Sequence, residues 1–275
     1  MKALNKIDWP AGLQEKVAAL EADLHERESV LLALSGGVDS TFLAYFARHV
    51  LGDRILAATA VAPAFPADEQ QEAQALAESM DLPLRVVEVE KTQMAAFANN
   101  PEDRCYRCKM ALFKQFRNIA REEGLNSVVD GTNADDLHAH RPGKKALQAL
   151  DIGSPLMRAG WTKEDIRKAS RLAGLPTADK PNRACLATRF PYGATITPER
   201  LRQVDRAEQA LRDLGFRQVR VRVHDAMARL EVDADELPRM LEPAMRNKVA
   251  DAVKACDFTH VSVDLEGYRT GSMDE

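Results

Sequence analysis

Apolar positions along the chain follow two rhythms, and the switches between them outline the fold. Residues 13–27 carry apolar side chains at helical spacing. Val30 to Leu34 are apolar at every position, a run too short for a helix and typical of a strand buried on both faces of a parallel sheet. The run stops at Ser35. After "SGGVDS" the rhythm resumes, with Phe42, Leu43, Phe46, Ala47 and Val50 on one helical face. The pattern then predicts a helix over 40–50, a strand over 54–61, a helix over 67–80 and a strand over 84–89. A helix over about 106–122 and a strand over 127–133 follow. This alternation argues for an α/β fold, a doubly wound parallel sheet with ligands at the carboxyl ends of its strands.

From Lys144 to Leu175 the pattern is helical with breaks, and Thr162 reads as an N-cap with Asp165, rather than Glu, at the third helical position. Prolines 155, 176, 181, 191 and 198 then point to irregular connections. Beyond them, "TPERLRQVDRAEQALRDLGF" reads as an amphipathic helix and "QVRVRVHD" and "ARLEVD" as alternating strands. "LPRMLEPAMRNKVADAVKAC" reads as one more helix and "HVSVDLE" as a last strand. An α-β-β-α-β run fits a smaller C-terminal α+β domain, so the expected domains are 1–189 and 190–275.

Composition narrows the function classes. The 275 residues are 45% hydrophobic, enough for a substantial core. A net charge of −4, from 38 Lys and Arg against 42 acids, gives no global pull toward nucleic acid. No apolar run approaches the roughly 18 residues a membrane span needs, and the N-terminus lacks a signal-peptide pattern. The expectation is a cytoplasmic protein, a homo-oligomer with neither a membrane nor a nucleic-acid partner. Four cysteines do not look like a secreted disulfide framework; metal binding, chemistry or packing are the alternatives.

The turn Ser35–Gly36–Gly37–Val38–Asp39–Ser40 places backbone N–H groups at a helix N-terminus, a good place for phosphate. It lacks the GK[ST] ending of a Walker A loop and the GxGxxG spacing of a dinucleotide fingerprint. Residue for residue it resembles the SGGxDS loop of the ATP pyrophosphatase (PP-loop, HUP-like) superfamily. That resemblance implies that the Gly36 and Gly37 amides and the Ser35 and Ser40 hydroxyls hold the ATP phosphates, while Asp39 helps position Mg²⁺. It implies cleavage between the α- and β-phosphates, which adenylates a substrate. In "VVDGTNADD", Asp130, Gly131, Asn133 and Asp136 stand at a strand end in the same sheet, where nucleotide contact and a solvated acidic turn are the two readings.

Cys105 and Cys108 stand three apart at the start of a predicted helix, on one face and where the helix dipole favours thiolates. Cys185 lies between prolines and near Arg183 and Arg189, neighbours that lower a thiol's pKa and hold anions. Cys256 sits in a periodic helical segment and reads as core. Together "CYRCK", "HRPGKKAL", "SPLMRAGWTKEDIRKASRLAGLP", "DKPNRACLATRFPYGATIT", "VRVRVHD" and "DLEGYRTGSMD" resemble the LarE family, in the right order and almost to the C-terminus. That family transfers sulfur, at the expense of ATP, to pyridinium-3,5-biscarboxylic acid mononucleotide and makes the thiocarboxylates of the nickel-pincer nucleotide. Thr188, often Ser in the family, and Trp161, usually aliphatic, are departures.

The resemblance implies two sulfur routes. In one, Cys185 is the catalytic thiol and gives up its own sulfur, leaving dehydroalanine. In the other, Cys105, Cys108 and Cys185 hold a 4Fe–4S cluster whose fourth iron is open, and having all three thiols favours it. A zinc site completed by His138 or His140 is the rival. The resemblance further implies that Arg189, Arg220, Arg222 and Glu208 contact the substrate. From the sequence alone, Arg220 and Arg222 equally fit the exposed face of a half-buried strand, and Glu208 a solvated helix position. The competing functions are tRNA thiolation, for which no basic or aromatic patch stands out, and ATP-dependent amidation, for which no glutaminase segment is found. A non-catalytic nucleotide sensor leaves the cysteines without a purpose.

Overall fold

In the computed structural model, which describes residues 1–89, 99–137, 143–181, 183–269 and 273, the apolar run after the first helix becomes the second-from-edge strand of a parallel sheet. Strand β1 (Val30–Ala33) pairs with β2 (Ile55–Val61) on one side and β4 (Ser127–Val129) on the other, and β3 (Leu84–Glu88) completes the order β3-β2-β1-β4. Helix α1 (Ala11–Arg27) precedes β1, and α2 (Val38–Leu51), α3 (Ala67–Ser79) and α4 (Arg104–Glu122) lie between successive strands. Short α5 (Gly143–Ala149) and α6 (Pro155–Arg158) and the longer α7 (Lys163–Ala173) follow.

Alternation along β1 explains why the strand is apolar throughout. Val30 and Leu32 join one buried cluster with Leu20, Leu24, Phe42, Phe46, Trp161 and Ile166, whereas Leu31 joins another with Phe113, Phe116, Val128 and Leu147. Helices therefore cover both faces, the doubly wound arrangement. Trp161 is wholly buried, its indole N–H donating to the Lys16 carbonyl at 3.1 Å and its ring 4.9 Å from that of Phe42. An aromatic at this position is thus a core anchor.

The chain divides into two compact units, each with its own sheet. The described residues of Met1–Ala62, Asp68–Gln93 and Asp103–Asn182 form the first; those of Pro63–Ala67, Met94–Glu102 and Arg183–Glu275 form the second. In the second unit, α8 (Pro198–Asp213) precedes β5 (Val219–His224) and β6 (Met227–Val232). Helices α9 (Leu237–Leu241) and α10 (Pro243–Lys254) lead to β7 (His260–Val263). β5 and β6 are antiparallel, whereas β7 lies parallel to β6.

Local chemistry sets several boundaries differently from the sequence reading. The strand expected over 127–133 ends at Val129, because Asp130 turns its side chain back to take the Thr132 amide at 3.2 Å and hydroxyl at 2.6 Å. The helix expected through Leu237–Cys256 is two helices, with Glu242 extended between them and Pro243 opening the second. Cys256 lies just past that helix rather than in it, but is buried as expected, and burial pushes its thiol pKa up. The capping box at Thr162 forms with Asp at the third position: Thr162 Oγ1 accepts from the Asp165 amide at 3.2 Å and Asp165 Oδ2 from the Thr162 amide at 3.1 Å. Thr162→Ala is expected to lower unfolding free energy by about 1 kcal/mol in urea titrations.

Candidate active site

The expected phosphate turn runs from the end of β1 into the first turn of α2. Because β2 and β3 lie on one side of β1 and β4 on the other, this point is the topological switch of the sheet, where α/β folds open a crevice at the strand ends. Gly36 has φ +72°, and a Cβ there meets the Glu69 carbonyl at 3.3 Å, so the turn requires glycine. Gly37 is the N-cap, its carbonyl accepting from the Thr41 amide at 3.0 Å. The two serine hydroxyls lie 3.0 Å apart, and Ser40 Oγ also takes the Ser35 amide at 3.2 Å. The six residues thus form a tight loop that aims short polar groups and the N-terminal amides of α2 at one point.

Asp39 stands in the first turn of α2. One carboxylate oxygen is ion-paired with Lys163, at the start of α7; the other is buried and has no hydrogen-bond partner among the described residues. An orphaned, buried, hard oxygen fits a Mg²⁺ ligand. Lys163 also donates its amide to Asp135 Oδ2 at 2.8 Å, which ties α7 to the segment after β4. Lys180 reaches the loop as well, donating to the Gly36 carbonyl at 2.8 Å and pairing with Glu72. Both lysines escaped the sequence reading. Lys163 was hidden in a capping motif and Lys180 in the proline-rich stretch.

The segment after β4 closes on the same turn. A Cβ on Gly131 falls 2.8 Å from the Ser40 amide nitrogen and 3.0 Å from its Cα, so only glycine permits this approach. Asp130 and Asn133 are buried. Asp130 Oδ1 accepts from the Ser154 hydroxyl at 2.7 Å, and Asn133 Oδ1 from the Asp135 amide at 3.0 Å. Asp136 takes the Asn133 amide at 3.2 Å. Asp130 and Asn133 are thus buried and bonded within the segment, unlike the solvated acidic turn that the sequence allowed.

The thiols lie in both units. Cys105, exposed, and Cys108, half-buried, occupy the first two turns of α4 in the first unit. Cys185, half-buried, opens a 3₁₀ turn (Leu186–Arg189) in the second. The Cys185 carbonyl is held by the Thr188 amide at 3.0 Å, the Thr188 hydroxyl at 2.8 Å and Arg189 Nη1 at 3.2 Å. The Leu186 amide donates to the Ala64 carbonyl at 2.9 Å. The backbone that carries this thiol is therefore fixed. Among the described residues, no group of three or more His, Cys, Asp and Glu side chains is arranged to hold a metal ion. His138 and His140 lie outside the described residues.

Around that turn the second unit buries its charges. Arg189 is fully buried and grips Glu208 through two bonds, Nε to Oε1 at 2.7 Å and Nη2 to Oε2 at 2.9 Å. Oε1 also accepts the Val221 amide of β5 at 3.0 Å. Glu208, 1% exposed, is therefore not a solvated helix residue. Burial alone raises its pKa, but the Arg189 guanidinium outweighs that and holds it below the usual value. Arg220 and Arg222 are each 4% exposed, so the exposed-face alternative is also corrected: both faces of β5 are covered. Arg222 pairs with Glu231 at 2.8 Å and donates to the Thr188 carbonyl at 3.0 Å. Arg220 stacks 4.9 Å from the Tyr268 ring; burial first and Arg189 second push its pKa down to about 10, still charged at neutral pH. The sequence showed the alternation of these arginines but not their buried partners.

Residues 12–121 match the family model described as NAD synthase, which covers the phosphate turn and the first three strands. The chain is 38% identical over 95% of its length to slr1717 of Synechocystis sp., an uncharacterized protein of which the match covers 97%. It is 33% identical to the pyridinium-3,5-bisthiocarboxylic acid mononucleotide synthase of Lactiplantibacillus plantarum, over 96% of both chains. The chain belongs to the LarE family. A more distant likeness, 27% over 62% of this chain and 57% of the relative, is to a component of the glutamine-hydrolyzing GMP synthase of Methanococcus vannielii. LarE membership and the PP-loop domain make the chain an ATP-using sulfur transferase, and among the described residues no helix is long and apolar enough to cross a membrane.

Two outcomes check this geometry. Glu208→Ala leaves a buried guanidinium unpaired and is expected to cost about 3–5 kcal/mol of stability in urea unfolding. Because Glu208 titrates below its unfolded value, its contribution is complete above about pH 4.3 and is lost as pH falls through the lower folded pKa. The stability gap between the wild type and Glu208→Gln should accordingly narrow in that acid range.

Proposed function

We propose that this LarE-family enzyme adenylates a carboxylate of pyridinium-3,5-biscarboxylic acid mononucleotide and converts it to a thiocarboxylate for nickel-pincer nucleotide assembly. The observation that carries this reading is the phosphate turn at the switch point, in a chain similar over 96% of its length to a synthase of the bisthiocarboxylic product.

A carboxylate is a poor electrophile, and adenylation gives it AMP as leaving group. The substrate oxygen attacks the α-phosphorus of ATP, and pyrophosphate departs. In this proposal the Gly36 and Gly37 amides, the Ser35 and Ser40 hydroxyls and Lys163 meet the departing phosphates, whose charge they neutralise through fixed dipoles and an ammonium group. Mg²⁺, when bound at Asp39, supplies Lewis-acid stabilisation of the same oxygens. Asp130, Gly131 and Asn133 shape the nucleotide side of the crevice.

In the sacrificial route the Cys185 thiolate then attacks the acyl carbon and expels AMP; loss of the Cα proton and cleavage of the Cβ–S bond leave sulfur on the product and dehydroalanine at position 185. In the cluster route the transferred sulfur would instead be an extra sulfide, with Cys185 a ligand. Arg189 acts here as a positioning residue for the Cys185 backbone, and Arg220 and Arg222 as the groups that recognise the substrate's anionic parts. Cys105, Cys108 and Cys185 are the donor type of an iron–sulfur cluster, and the cluster form is proposed on that donor set alone.

Asp39→Ala is expected to abolish pyrophosphate release from ATP and the pyridinium substrate; undiminished release would refute the assignment. Anaerobically reconstituted protein is expected to hold about four irons per chain and to lose them in Cys105→Ala. Iron-free protein that loses the mass of hydrogen sulfide after one turnover would replace the cluster form with the sacrificial one.

A further inference from the structure

Within the first unit, along the outer edge of β4, lies a cavity of about 410 Å³ that contains none of the phosphate-turn residues. Its volume is in the range of small-molecule sites. Part of its lining is apolar, with Val128 from β4, Leu147 from α5 and Ile152 from the loop that follows, and part is cationic.

Arg27 and Arg158 line it too, but both are tied to the buried Asp23, at 2.7 Å and 3.0 Å. Arg27 packs so closely over Gly153 that a Cβ there falls 2.5 Å from its Nη1. These two arginines are structural. Arg117 and Arg121, one turn apart on α4, and Lys144 on α5 remain to set the charge, with Asp151 as the acid of the lining. Residues at i and i+4 are neighbours on one helix face, so both guanidiniums are available to one group of phosphate or carboxylate oxygens.

We propose that this cavity binds a small organic phosphate of mononucleotide size, its anion held by Arg117 and Arg121 and its ring against Val128, Leu147 and Ile152. The site is separate from the phosphate turn. Thr132 and Ser154, which line it, hydrogen-bond to Asp130 and form the wall toward the nucleotide side.

Hydrogen exchange locates the binding without reference to catalysis. AMP is expected to protect residues 117–128 and 147–153 at concentrations at least tenfold lower than inorganic phosphate requires, and adenosine is expected to leave them unchanged. Arg117→Ser/Arg121→Ser, at half-exposed and exposed helix positions, is expected to remove that protection and keep the exchange pattern of the free protein. No protection of these segments, protection that survives in the double variant, an adenosine effect equal to that of AMP, or an AMP response no stronger than that of phosphate would each overturn the proposal.

Discussion

The carboxyl end of the parallel sheet depends on a contact that has no room for a methyl group. Gly131 brings the chain after β4 against the backbone of Asp39 and Ser40, with a prospective Cβ 2.8 Å from the Ser40 nitrogen. That approach sets how closely the chain after β4 lies to the N-terminal turn of α2. Nearby, the Lys163 amide donates to Asp135 while its ammonium pairs with Asp39. A bulkier residue at position 131 would push the chain after β4 away from the start of α2.

The second unit solves a different problem, that of holding the backbone of the Cys185 turn firmly while charges are kept out of water. A buried ion pair is a poor source of net stability, because desolvation offsets most of the attraction. The Arg189–Glu208 pair instead provides definition. One guanidinium is bonded to a helix carboxylate and to three oxygens of the Ala184–Thr188 turn, so α8, β5 and the cysteine turn hold one another in register.

Much of the first unit was legible because its rules are local. A strand covered on both faces is apolar at every position, and β1 reads that way; a turn straight from that strand into a helix calls for glycine, and Gly36 stands there with a positive φ. Ends were less legible. β4 stops early because the Asp130 side chain competes for the backbone, and the long C-terminal helix divides where Pro243 needs an extended residue before it. The lysines were invisible for another reason: Lys163 and Lys180 meet partners 124 and 144 residues away. Burial of Arg220, Arg222 and Glu208 was equally hidden, since charged residues at alternating or helical spacing ordinarily mark a solvated face. Only the tertiary partners, absent from any short window of sequence, distinguish the two cases.

The Glu208 carboxylate has one more effect. β5 is an outer strand of its sheet and pairs with β6 alone among the described strands. Its Val221 amide is taken by Glu208, and its Val219 carbonyl by the Arg220 side chain at 2.8 Å. A border that would otherwise invite a neighbouring molecule to add a strand is thereby sealed by side chains of the same chain. With these groups engaged, that strand is a poorer template for edge-to-edge pairing between molecules.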